Sequence, residues 1–286
     1  MKEIIKLLRP YQYIKNVFVF APLLFSFSTD IVLILKTVLT FILFSTIASS
    51  IYIFNDLMDI KEDQEHPSKK FRPLALGTID THQALWLIAF FAILPLAVAL
   101  MFNITLFAIL LLYFSLNVLY SVQLKHFSII DIFMIAIGFV LRLFAGAAVV
   151  EVELSMWIII MTFLLALFLA LAKRRDDVLL SLKGKETRKN IDGYNLEFVN
   201  AGMVLMAGVI MVSYIFYTVS DDVIARLHTP HLYLSGFFVI LGIMRYMQIT
   251  FVEERSGNPS KIVLSDPFLQ VTIVLWLLCF YIIVKF

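Results

Sequence analysis

The stretch NDLMDIKEDQEHPSKKFRP, Asn55 to Pro73, concentrates chemistry-bearing side chains: five carboxylates, then a histidine and a basic run. On an α-helix each residue advances about 100° around the axis, which puts Asp59 about 40°, Asp63 about 80° and Asp56 about 100° from Asn55. Lys61 falls about 240° round, on the opposite side. Asn55, Asp59 and Asp63, spaced NxxxDxxxD, therefore form one acidic stripe over two turns. Carboxylates at that spacing repel one another unless a cation compensates. An oxygen-only donor set favours a hard cation, most plausibly Mg²⁺, which keeps few protein ligands and is commonly completed by phosphate oxygens.

A solvated helix end whose acids pair with Lys61, Lys69 and Lys70 is the competing reading. It accounts for the charge but not for the segregation of Asn55, Asp59 and Asp63 from Lys61. The continuation HPSKKFRP supplies Lys69, Lys70 and Arg72 beyond Pro67, which ends the helix. Arg offers a planar bidentate edge to phosphate and Lys a point charge, so a metal stripe followed by cations suits a diphosphate leaving group. Anchoring by the positive-inside rule competes for one or two of these cations. His66 projects near the stripe and reads as a supporting or capping group rather than a metal ligand.

The elements carrying this stretch are membrane helices. The chain is 61% hydrophobic and 15% charged, with mean hydropathy +0.94, against about 45–50% apolar and about 25% charged for soluble domains. A crossing needs about 20 apolar residues. Nine candidates satisfy this, at 14–29, 32–55, 82–101, 104–121, 128–150, 155–173, 197–218, 231–251 and 267–285. The first is short and contains Pro22, and it follows an amphipathic entry helix with no small-residue cleavage site. The chain reads as an all-α polytopic membrane protein of one domain, 1–286. A rough symmetry appears, because the two most charged loops follow spans two and six; its midpoint lies near 122–127.

Of the 23 basic residues, 18 fall on one side of this arrangement, which the positive-inside rule makes cytoplasmic. The N-terminus and the charged stretches are then expected inside the cell membrane and the C-terminus outside. A net charge of +2 does not suggest nucleic acid, and the single Cys279 excludes an internal disulfide or a Cys-based metal cluster. The five histidines show no zinc spacing.

Several other polar residues stand out. Arg142 sits about twelve residues into the fifth span, where an uncompensated charge is costly, so a polar cavity or an ion pair is expected there. Asp131 is its candidate long-range partner. Tyr120 and Lys125 flank a turn on the basic side and read either as phosphate contacts or as interfacial residues. Lys15 and Asn16 lie at the entry to the first span, where a lipid head group can dock. Arg245 and Tyr246 lie near the end of the eighth span as candidates for a lipid phosphate, and Asp266 before Pro267 reads as a helix N-cap. Gly138, Ala145, Gly146 and Ala147 would let backbones approach closely.

NxxxDxxxD at the end of the second span followed by HPxKxxRP resembles the UbiA-type intramembrane prenyltransferase superfamily. RPYQYIKNVFVFAPLLFS, LYSVQLKHFSIIDIFMIAIGFVLRLFAGAA, ALAKRRDD, RYMQ and LSDPF extend the resemblance over essentially the whole chain. Within the superfamily the pattern is most similar to the decaprenyl-phosphate phosphoribosyltransferase branch. Typical members carry a second Asp-rich motif after span six, where this chain reads AKRRDDV. The branch has a basic Lys-Arg motif there with an acid shortly after; that acid is Asp177 here, where the branch commonly has Glu.

The resemblance implies a UbiA-like bundle with a cytoplasm-facing site. Mg²⁺ would be held by Asn55, Asp59 and Asp63, the catalytic set. Lys69, Arg72, Tyr120, Lys125, Lys173, Arg174 and Asp177 would serve phosphoribosyl pyrophosphate. Lys15, Arg142 and Arg245 would serve the phosphate of a polyprenyl phosphate. The expected reaction transfers 5-phosphoribose to that lipid with release of diphosphate, and Lys173 with Arg174 would answer the donor's additional 5-phosphate. A prenyltransferase acting on an aromatic or other acceptor, and a transporter with a midplane site, are the rival readings. A homo-oligomer is compatible with the sequence, which does not fix the oligomeric state.

Overall fold

The computed structural model describes residues 2–65, 69–184 and 191–286. It divides into two compact units, Met1–Leu154 and Ser155–Phe286. The described residues contain eight helices long and apolar enough to cross a membrane, four in each unit. The boundary therefore lies well beyond the midpoint expected near 122–127. The sequence reading counted an additional N-terminal span.

The first unit contains α1 (Lys2–Leu8), a 3-10 helix over Pro10–Phe20, α2 (Ala21–Phe25), α3 (Ile31–Met58), α4 (Ile60–Glu65), α5 (Thr81–Phe102), α6 (Ile104–Val122) and α7 (Ile130–Val150). The expected first span, 14–29, is not a membrane-length α-helix; its residues form most of the 3-10 helix, then α2. The 3-10 helix runs antiparallel along α3. Arg9 meets Asp56, Tyr13 Oη lies 2.7 Å from Ser49 Oγ, Asn16 donates to Ser45 Oγ at 2.9 Å, and the Phe20 ring lies 5.6 Å from that of Phe41. Between Asp56 and Phe41, α3 rises about 22 Å at about 1.5 Å per residue. The partner segment covers it with fewer residues because a 3-10 helix rises about 2.0 Å per residue. Gly146 of α7 makes room for this strand of chain: a Cβ there would lie 2.0 Å from the Val19 carbonyl oxygen.

Inside lipid every backbone group and hydroxyl needs an internal partner. Thr37, Thr40 and Thr46 on α3 each donate to the carbonyl one turn back, at 2.7–2.9 Å. Helix starts are fixed by side-chain caps: Asp30 accepts from Val32 N at 2.8 Å, Asp80 from Gln83 N at 2.7 Å, and Asn103 from Leu106 N at 2.9 Å. The unit's core joins Phe44, Ile47 and Ile51 of α3, Leu106 and Leu110 of α6, and Leu141 and Ala145 of α7.

The second unit contains α8 (Met156–Leu182), α9 (Leu196–Val219), α10 (Asp221–Leu227), α11 (Gly236–Phe251), α12 (Pro259–Ser265) and α13 (Pro267–Lys285). Ser155 caps α8 and Asn195 caps α9, the latter accepting from Phe198 N at 2.7 Å. Asp266 caps α13 as the sequence suggests, accepting from Leu269 N at 2.9 Å. Arg175 ties the unit together: Nε donates to Asn200 Oδ1 at 3.0 Å and Nη1 to the Thr250 carbonyl at 2.8 Å.

Candidate active site

α3 carries the acidic stretch out of the apolar core, and its hydrogen-bond ladder continues into α4. Asp59 N donates to Asn55 O at 3.1 Å, and Asp63 N to Asp59 O at 2.8 Å. The stripe thus keeps its helical spacing through Asp59, but its side chains divide into two sets. Asn55 Nδ2 donates to Asp59 Oδ2 at 2.9 Å, and Lys125, from the turn after α6, pairs with Asp59 Oδ1. Asp63 instead accepts from Arg72 Nη1 at 2.6 Å, and the same Nη1 reaches Asp56 Oδ1 at 2.9 Å. Arg9 closes the second set by pairing with Asp56. Among the described residues the cations that meet these three aspartates are Arg9, Arg72 and Lys125.

Three carboxylates therefore face three cations, Arg9, Arg72 and Lys125, on one end of the first unit. The Asp56 and Asp63 side chains are almost fully buried, whereas those of Asp59 and Arg72 are 17% and 24% exposed. Arg9 and Lys125 are comparably exposed, at 16% and 15%. The sequence reading missed Asp56 and Arg9. The helical projection held a signal for Asp56, which falls only about 20° from Asp63. Arg9 carried none, because it lies 47 positions from Asp56 in the chain.

The donors are oxygen atoms only, which fits a hard divalent cation. Among the described residues no group of three or more acidic, His or Cys side chains forms a cage by itself. The arrangement fits a metal shared with phosphate oxygens, because the local charges of the side chains already balance. Lys69 lies on a short 3-10 helix, Lys69–Phe71, beside Arg72, and Tyr120 is half-buried on the last turn of α6. His66 lies outside the described residues.

Arg142 is 4% exposed. Its Nε donates to Asn16 Oδ1 at 2.8 Å, Nη1 to the Gly138 carbonyl at 2.6 Å and Nη2 to Tyr113 Oη at 3.0 Å. The rings of Phe44, Tyr113 and Phe139 surround the guanidinium at 4.9–5.3 Å. Its hydrogen-bond partners among the described residues are these neutral groups; Asp131, eleven positions earlier on the same helix, is too far along it for direct contact. Asn16, buried between Arg142 and Ser45, belongs to this network, while its neighbour Lys15 is half-buried.

In the second unit Arg174 is fully buried and pairs with Asp177 one turn on, while Lys173 is half-buried. Arg245 bonds Asp266 at 2.7 Å and Glu253 at 2.9 Å. The hydrogen bond from Arg245 holds the Asp266 carboxyl below its ordinary pKa, and the hydrogen bond from Arg255 does the same for Glu253.

Residues 17–183 match the UbiA prenyltransferase family. The chain is 30% identical over 283 residues to the decaprenyl-phosphate phosphoribosyltransferase of Corynebacterium glutamicum, covering 96% of this chain and 84% of that protein. It is 28% identical to the enzyme of the same name from Mycolicibacterium smegmatis, covering 96% and 90%. A UbiA homolog from Archaeoglobus fulgidus, solved bound to GPP and Mg²⁺, shares the fold with a TM-score of 0.73 at 18% identity, over 99% of this chain and all of that one.

Proposed function

Because the chain belongs to the UbiA prenyltransferase family, we propose that it is a Mg²⁺-dependent membrane phosphoribosyltransferase. It transfers 5-phosphoribose from phosphoribosyl pyrophosphate to a polyprenyl phosphate and releases diphosphate. One observation carries the choice of donor. Where a prenyl-diphosphate enzyme needs a second acidic motif, α8 presents Lys173 and the Arg174–Asp177 pair. A prenyl diphosphate offers one diphosphate, whereas phosphoribosyl pyrophosphate adds a 5-phosphate, which the half-buried Lys173 suits, with Arg174 held by Asp177 one turn on. The names of the relatives that cover most of the chain favour the same donor.

In this reading Asn55, Asp59 and Asp63 hold the metal, which when bound supplies positive charge to the leaving diphosphate. Lys125 and Arg72 present cations to the same phosphates, and preorganised charge of this kind usually supplies the largest share of catalysis. Lys69 and Tyr120 are assigned to the donor, and Lys173, Arg174 and Asp177 to its 5-phosphate. A lipid phosphate oxygen attacks the anomeric carbon. The bond from that carbon to diphosphate breaks, and its electron pair leaves with diphosphate. The nucleophile is already anionic, so no general base is required, and the configuration at that carbon inverts.

Lys15 and Arg245 remain the assigned contacts for the lipid phosphate. Arg142, whose polar atoms are engaged by the protein, is assigned instead to holding the apolar interior together. The distribution of Lys and Arg supports a cytoplasmic N-terminus and site with the C-terminus outside. The antiparallel course of the 3-10 helix along α3 supports the same placement of the N-terminus.

Purified protein given phosphoribosyl pyrophosphate labelled in the ribose and a polyprenyl phosphate is expected to place label in the lipid phase only with Mg²⁺. No labelled lipid across several chain lengths, together with product from geranyl diphosphate and an aromatic acceptor, would sink this reading in favour of a prenyltransferase.

A further inference from the structure

Asp56 is 2% exposed and is bonded by two guanidiniums, those of Arg9 and Arg72. Its charge is answered within the protein by two cations, whereas Asp59 and Asp63 each meet one among the described residues. Arg72 spends a single nitrogen, Nη1, on both Asp56 and Asp63. Its Nε and Nη2 make no hydrogen bond among the described residues, and its side chain is 24% exposed. An Arg edge of two parallel N–H groups is the geometry that matches phosphate bidentately.

The chain before Arg9 braces the same segment. Lys6 Nζ donates to the Phe71 carbonyl at 2.9 Å. Leu7 is buried with Ile53 and Leu74. Ser49 Oγ donates to the Leu8 carbonyl at 3.0 Å. Arg9 itself is held left-handed, at φ 53° and ψ 57°, immediately before Pro10. That conformation costs free energy for a residue with a Cβ, and the surrounding contacts must offset it. It turns the chain from α1 into the 3-10 helix and places the guanidinium on Asp56, 5.5 Å from the Tyr52 ring centroid.

We propose that Arg9 and Asp56 are positioning residues that anchor Arg72 by Nη1, so that its Nε–Nη2 edge is presented to a phosphate of the diphosphate group. In this proposal Asp56 acts through Arg72, and Arg9 acts through Asp56. The phosphate part of this statement rests on the functional reading above, whereas the anchoring part stands on the contacts alone, and the two are tested separately.

Phenylglyoxal labelling of Arg72, read by peptide mass spectrometry on detergent-purified protein without ligand, tests the anchoring. The rate is expected to rise about fivefold in Asp56→Asn, where Arg72 keeps only one of its two carboxylates, to rise in Arg9→Met, where Asp56 loses the guanidinium that fixes its position, and to stay near wild type in Arg9→Lys, which keeps a cation on Asp56. An unchanged rate in both Asp56→Asn and Arg9→Met overturns the proposal, whatever the donor proves to be. Donor kinetics test the consequence. Asp56→Asn is expected to raise the KM for phosphoribosyl pyrophosphate about tenfold with kcat within about threefold, and to add less than about twofold once Arg72→Lys is present. The same factor in both backgrounds would mean that Asp56 acts independently of Arg72, and would overturn the proposal. If wild type turns over no donor, the functional reading fails and the labelling result alone decides the anchoring.

Discussion

The first unit buries charge in two places and treats it in opposite ways. Around Arg142 the charge is satisfied by neutral dipoles from Asn16, Gly138 and Tyr113 and by three aromatic faces, with no carboxylate bonded to it among the described residues. At the end of α3 each carboxylate is satisfied by a cation, and one face of the cluster is open. The first arrangement has nothing to exchange: removing the guanidinium strands three polar groups in an apolar interior. In the second, under the proposed function, Asp59 and Asp63 would hold the metal and Lys125 and Arg72 would turn to diphosphate oxygens, so each group would exchange one charged partner for another. Buried charge alone therefore does not mark a site in this protein; exchangeable, partly exposed charge does.

The largest expected effect is at the open end. Asp59→Ala is expected to lower turnover by about 10³-fold or more, the scale seen on removing a group that stabilises developing charge, with the melting temperature close to wild type. Retained turnover would remove the metal assignment. Arg142→Met should do the reverse. It is expected to cost about 3 kcal/mol of stability, the scale of leaving buried polar groups without their partner, while turnover per folded molecule stays near wild type. A selective rise in KM for the lipid substrate at unchanged stability would return Arg142 to the lipid phosphate.

A smaller effect is expected from Lys173→Ala, which should raise the KM for phosphoribosyl pyrophosphate about tenfold, as loss of a charge-assisted phosphate contact does. Inorganic diphosphate should bind the variant as it binds wild type. If diphosphate binding falls equally, Lys173 does not distinguish the 5-phosphate.

The smallest effect is structural and pH-dependent. The Asp266 carboxyl is held below its ordinary pKa by Arg245 in the folded protein, so its contribution is present above the unfolded value of about 3.9 and is lost as pH falls through the lower folded value. Lowering pH across that window should reduce the melting temperature slightly in wild type and less in Asp266→Asn. Equal slopes would show that this pair does not contribute.

Much of this architecture was legible in the residues. Eight of the nine expected spans appear as membrane-length helices, since runs of apolar residues bounded by Asp, Asn and Ser caps leave an isolated segment in lipid little alternative to an α-helix. The acidic stripe was legible for a related reason: helical periodicity fixes which side chains share a face. The first expected span was misread in helix type, because apolar composition does not report rise per residue. Pro10–Phe20 became a 3-10 helix while packed along α3 and against Gly146, a neighbour far away in the chain.

The residues by themselves determined that this is a helical membrane protein with an acidic stripe at the end of α3 and a basic run at the end of α8, because helix formation and its angular spacing are local. Only the tertiary structure decided which cation answers which carboxylate. Arg9 and Lys125 stand 47 and 66 positions from the aspartates they meet, and a pairing at that range depends on how the intervening helices pack. The same packing enclosed Asp56, left Asp59 and Arg72 within reach of solvent, and surrounded Arg142 with aromatic rings.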